Sequence, residues 1–124
     1  MRQGWSLLLG IGVLVGSGLM TACGGGGGAS GDPSAANGEK LFRQTCATCH
    51  GMNGEGIDKL GKALVGNEFL ALNSEKALVD FLVEGRSATH PDNSRGVDMP
   101  PRGGNPKLTD EDLAAIIVYA RSLR

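Results

Sequence analysis

Five consecutive residues constrain this chain more than any others: Cys46-Ala47-Thr48-Cys49-His50. Two thiols three positions apart, followed at once by an imidazole, is the spacing that attaches a c-type haem. Each thiol can add to one haem vinyl group. The two vinyls sit on adjacent pyrroles, so a short loop reaches both. The next residue then lies under the iron, where an imidazole nitrogen can bind it. A chain built on this motif must also supply an export route, a core that accepts a large flat group, and a ligand for the other face of the iron.

Other uses of the motif fit the chain poorly. A zinc site needs a second pair of Cys or His ligands, yet beyond the motif the folded part offers only His90 and no further cysteine. A thioredoxin-type redox pair needs a βαβ setting, and no segment alternates as a strand. Covalent haem is the expectation, with one haem held by Cys46 and Cys49 and the proximal iron position taken by His50.

The N-terminus carries the export signal that such attachment requires. Arg2 gives a short positive start, and Gly4 to Met20 is an almost uncharged apolar run. Thr21-Ala22-Cys23 follows, which completes the shape of a secretory signal over residues 1–22. At roughly 17 residues, and interrupted by five glycines, the run is short for a permanent membrane span. Leu19-Met20-Thr21-Ala22-Cys23 resembles a bacterial lipobox, with Met20 where leucine is usual. Lipidation of Cys23 explains the thiol left over once the motif has taken two, and it would hold the protein at a membrane surface rather than across it. Residues 23–33, dominated by Gly24 to Gly28, then read as a lipidated N-terminus and flexible tether. The expected location is outside the cytoplasm, on the outer face of the cytoplasmic membrane or in the periplasm.

Residues 34–124 form the expected folded domain, about 90 residues, a size that buries only a modest core. Its aromatics are Phe42, Phe69, Phe81 and Tyr119. A covalently held apolar haem would fill what the side chains leave open. Charge is nearly balanced, with 12 Lys and Arg against 13 Asp and Glu. Removing Arg2 with the signal leaves 11 against 13, net −2. Neither nucleic-acid binding nor a strongly basic docking face follows from this balance.

Along the domain, Asp32 and Pro33 suit a helix start, and Gly38, Phe42 and Cys46 recur every four residues on one face. Gly51, Gly54 and Gly56 mark a loop after the motif. A short turn of helix is expected around Glu68 to Leu72. Asn73 or Ser74 opens a further helix with Leu78, Phe81 and Leu82 as its stripe and Gly85 as its stop. From Arg86 to Lys107 nothing is periodic, and so long a loop in a small domain usually carries function. Thr109 and Asp112 form a capping box for a last helix with Leu113, Ile116, Ile117, Ala120 and Leu123 inward and Tyr119 at the edge. The fold expected is all-α, three to four helices around one haem.

The distal iron ligand must come from elsewhere in the chain. Met52, His90, Met99, a lysine or no residue at all are the choices. Met52 stands two positions from His50 and cannot wrap to the other face. Met99 sits in Val97-Asp98-Met99-Pro100-Pro101 on the long loop and is the expected ligand.

The segments Gly38 to Phe42, Cys46 to Gly51, Met99-Pro100-Pro101 and Leu108 to Tyr119 together resemble the class I cytochrome c family over residues 34–124. The resemblance implies a helical fold whose first and last helices cross near a small residue and aromatics, roles that Gly38, Phe42 and Tyr119 match. It implies His50 and Met99 as axial ligands and one-electron transfer without a substrate site at the metal. Redox partners would be a quinol-oxidising complex, a terminal oxidase or a reaction centre. The contrasting expectation is a haem enzyme, or a sensor of gas or peroxide, with an open distal site. One departure stands out: many members have a proline after the motif whose carbonyl takes the second N–H of the proximal histidine, and 57–64 contains none.

Overall fold

A computed structural model of the chain describes residues 33–124. The expected signal, Cys23, the glycine tether and the Asp32 cap lie outside the described residues. Five α-helices follow in order: α1 Pro33–Thr45, α2 Ala47–His50, α3 Glu68–Leu72, α4 Glu75–Glu84 and α5 Asp110–Ser122. A tight turn at Pro101–Gly104 precedes α5. Among the described residues the only β pairings are two isolated antiparallel bridges, Ile57 with Gly61 and Arg86 with Met99. The fold is thus all-α as expected, with one more helix than the three or four anticipated, because the haem motif itself winds into α2.

The frame is the crossing of α1 on α5. A Cβ on Gly38 would stand 2.0 Å from the carbonyl oxygen of Ala115, so only a residue without a side chain lets the two backbones approach this closely. One turn further on, Phe42 is fully buried and packs against Tyr119 with ring centroids 5.3 Å apart. Leu113, Ile116 and Leu108 complete the cluster. Tyr119, expected at the edge of the stripe, is itself in the core at 9% exposure.

The end signals of the helices act as the sequence suggests. Thr109 Oγ1 accepts from the Asp112 N–H at 3.2 Å, and Asp112 Oδ2 accepts from the Thr109 N–H at 3.0 Å. Ser74 caps α4 by accepting from the Ala77 N–H at 3.2 Å, and Gly85 ends it. Asn67 caps the short α3. Arg121, in the last turn of α5, reaches across to another element. Its guanidinium donates to the carbonyls of Leu70 and Asn73, at 3.1 and 2.5 Å, and so fastens the end of α3 to α5. No helix among the described residues is long and apolar enough to cross a membrane.

Candidate functional site

The backbone of α1 runs on into the motif. The Cys46 N–H donates to Phe42 at 2.8 Å, and the N–H groups of Cys49 and His50 both donate to the Cys46 carbonyl, at 3.1 and 3.0 Å. The motif is therefore a helical turn, not the short loop that attachment to two vinyls suggests. A helix places positions i, i+3 and i+4 on one face, so Cys46, Cys49 and His50 point the same way. They point at a cavity of about 560 Å³, within the range of sites that enclose a cofactor, about 300–1,000 Å³.

The cavity accounts for what the core lacks. Its apolar wall includes Phe42, Leu78 and Leu82 on one side and Ile116, Ile117 and Ala120 of α5 on the other. Met99 lines it as well. The structure thus brings together the four residues singled out from sequence, two cysteines and two candidate ligands from segments far apart in the chain. It leaves out the rivals. Met52 is exposed and off the cavity wall. His90 lies on the surface, where its Nδ1 accepts from the Asp92 N–H at 3.1 Å, and it does not line the cavity.

The orientation of His50 is set by an acceptor that the sequence does not reveal. Its Nδ1–H donates to the carbonyl of Lys62 at 2.7 Å. A carbonyl only accepts, so Nδ1 carries the proton and Nε2 keeps its lone pair for a metal. Lys62 comes close because Gly61 does: a Cβ at Gly61 would meet the Cys49 carbonyl oxygen at 2.1 Å. The missing proline is therefore replaced by a glycine that lets the following carbonyl approach. The signal was present in the sequence only as one glycine among many.

Burial, and secondly the neighbouring Cys49, push the Cys46 thiol up to about 11. A reactive redox cysteine has the opposite, a readily formed thiolate. The two cysteines are free of each other, and no group of three or more His, Cys, Asp and Glu is poised to hold a bare metal ion among the described residues. Two thiols, one imidazole nitrogen and one thioether around an apolar cavity fit a covalently attached haem. Three cationic residues, Lys62, Arg86 and Arg95, line the same space. The Arg86 guanidinium lies over Phe81 at 4.6 Å and Phe69 at 5.3 Å, and Arg86 lines the cavity.

Residues 33–119 match the family model described as cytochrome C oxidase, cbb3-type, subunit III. The chain is 34% identical over 98 residues to the cbb3-type cytochrome c oxidase subunit FixP of Azorhizobium caulinodans, which covers 78% of this chain and 30% of that protein. It is 32% identical over 88 residues to cytochrome c-555 of Prosthecochloris aestuarii, covering 68% of this chain and 82% of that one. To cytochrome c-555 of Chlorobaculum tepidum it is 32% identical over 85 residues, or 68% and 72% of the two chains. It spans less than a third of the length of the FixP relatives that it matches. No solved structure matches at comparable significance.

Proposed function

Since the chain belongs to the class I c-type cytochromes, in the family of cbb3-type cytochrome c oxidase subunit III, and carries one covalently attached haem c, we propose that it is a one-electron carrier tethered to a membrane surface. Cys46 and Cys49 form the thioether bonds, His50 is the proximal iron ligand and Met99 the distal one. The haem supplies the change of one electron at its iron. The chain supplies the rest. His50 is oriented through Lys62, Met99 occupies the site where a small molecule would bind, and the apolar wall keeps water from the metal. A thioether on the iron favours the ferrous state and raises the potential above that of two nitrogen ligands. The observation that carries this reading is the convergence of Cys46, Cys49, His50 and Met99 on one apolar cavity.

The absorption spectrum tests it. The expected result is a six-coordinate, low-spin haem with a methionine–iron charge-transfer band and no response to carbon monoxide. Met99→Ala should abolish the band and open the iron. A high-spin spectrum in the unaltered protein would instead indicate an enzyme or sensor. The tether rests on Cys23 and the signal at 1–22; Cys23→Ser should release the protein from membranes into the soluble fraction. The partners of this reading are membrane-bound redox complexes. The FixP relatives, named as oxidase subunits, support a terminal oxidase among them. Co-migration with oxidase subunits after mild detergent extraction would distinguish a bound subunit from a free carrier.

A further inference from the structure

Met99 ends a loop, and its place depends on what holds the chain on either side. On the N-terminal side its backbone pairs with Arg86, in both directions, at 2.7 and 2.8 Å. On the other side the chain turns abruptly. The Gly103 N–H donates to the Pro100 carbonyl at 3.0 Å, and Arg102 adopts φ 53°, a left-handed conformation uncommon for any residue but glycine. Such backbone persists only where its surroundings enforce it. The turn is packed in part, with Gly103 against Thr45 and the 99–101 backbone against Gly85, while Pro100, Pro101 and Gly104 are exposed.

The Arg102 side chain supplies a further hold. Its Nη1 donates to the carbonyl of Leu108 at 2.7 Å and its Nη2 to Asp110 Oδ1 at 2.8 Å. The side chain is only 25% exposed. Leu108 is a buried core residue, and Asp110 is the first residue of α5, the helix that supplies Ile116, Ile117 and Ala120 to the cavity wall. The two bonds run to two different groups, a geometry that the planar fork of arginine meets and the single ammonium of lysine does not.

We propose that Arg102 is the positioning residue for Met99: its fork clasps the 100–104 turn to the start of α5 and so keeps the thioether over the iron. This rests on Met99 being the distal ligand. The affinity of a ligand delivered by a loop falls with the fraction of time the loop is in place. Weakening the clasp therefore exposes the iron to an external ligand without altering any group that touches it.

Imidazole binding to the oxidised holoprotein at fixed pH measures that exposure. Arg102→Asn tolerates left-handed backbone but cannot span to Leu108 and Asp110, and should raise the apparent imidazole affinity at least about tenfold, as expected for the loss of a charge-assisted hydrogen bond. The methionine–iron band should persist but weaken. Arg102→Lys and Asp110→Asn, which each keep part of the clasp, should fall between. Ser74→Ala is the control: it removes the cap at the end of α4 remote from the turn and lowers the melting temperature, yet leaves imidazole affinity unchanged. An Arg102→Asn protein with unaltered affinity overturns the proposal. So does a rise no greater than that of Ser74→Ala at an equal loss of melting temperature. If Arg102→Asn does not fold, Arg102→Lys and Asp110→Asn are judged against the same control. Absence of the methionine–iron band in the unaltered protein overturns the assignment of Met99 instead.

Discussion

A neutral imidazole binds a metal through whichever nitrogen lacks the proton, so the partner of the other nitrogen decides the geometry of the site. For His50 that partner is the backbone carbonyl of Lys62, at 2.7 Å. No side-chain substitution at Lys62 removes a carbonyl, but its approach depends on Gly61. Gly61→Ala would place a methyl group 2.1 Å from the Cys49 carbonyl oxygen and force the 61–62 segment outward. The His50 bond lengthens, the imidazole becomes a poorer donor, and the ferric state loses support. The expected outcome is a higher reduction potential in a redox titration, with a melting temperature lowered by overpacking of about 1–3 kcal/mol. Arg86 acts through charge. Its guanidinium stands among Phe69, Phe81 and the cavity, where a cation opposes the extra positive charge of ferric iron. Arg86→Leu should lower the potential and Arg86→Lys should restore most of it. Equal potentials for the Leu and Lys variants would assign Arg86 to stacking alone.

The element that carries the site is α1, because it leads directly into the motif and is seated by its crossing on α5. At Gly38 the obstacle to a side chain is the Ala115 backbone, which cannot rotate away as a side chain would. Gly38→Ala should therefore part the two helices and lower the melting temperature by roughly 5 °C or more, taking about 1–3 kcal/mol for overpacking and 4–8 °C per kcal/mol for a domain of this size. A melting temperature within error of the unaltered protein would show that the crossing relaxes freely. The same elements show what a sequence can express. α5 was legible from its capping box and apolar stripe, and α4 from Ser74 and Gly85, because these signals are local and lie in side-chain type. The 87–98 loop was legible only as a loop. Its order comes from Asn93, whose side chain bonds the backbone at Ser87, Arg95, Gly96 and Val97, and one asparagine in an aperiodic stretch has no period to betray it. Lys62 was hidden for a related reason: its role belongs to a carbonyl that every residue possesses. Met99 could be singled out because a thioether is a scarce ligand type, and it lies on the cavity wall, whereas the bonds of Arg102 depend on a left-handed turn that its sequence does not announce.

Among the described residues the side-chain core is small. Phe42, Leu108, Leu113, Ile116 and Tyr119 cluster at the α1–α5 crossing, and where a second layer would lie there is the cavity of about 560 Å³. Its apolar wall, with Phe42, Leu78, Leu82, Ile116, Ile117 and Ala120, needs an apolar group to pack against, because apolar surface left in water forfeits the main favourable contribution to folding. The haem thus completes the core, and a group that binds the folded chain and not the unfolded one stabilises the fold. The double variant Cys46→Ala, Cys49→Ala, purified free of haem, should lose its cooperative thermal transition and most of its helical circular dichroism. Either single variant, held by one thioether, should keep both with a lower melting temperature. A haem-free chain that still melted cooperatively would show that the α1–α5 cluster suffices on its own, and that the cavity is a site the polypeptide builds in advance instead of a shape that the haem completes.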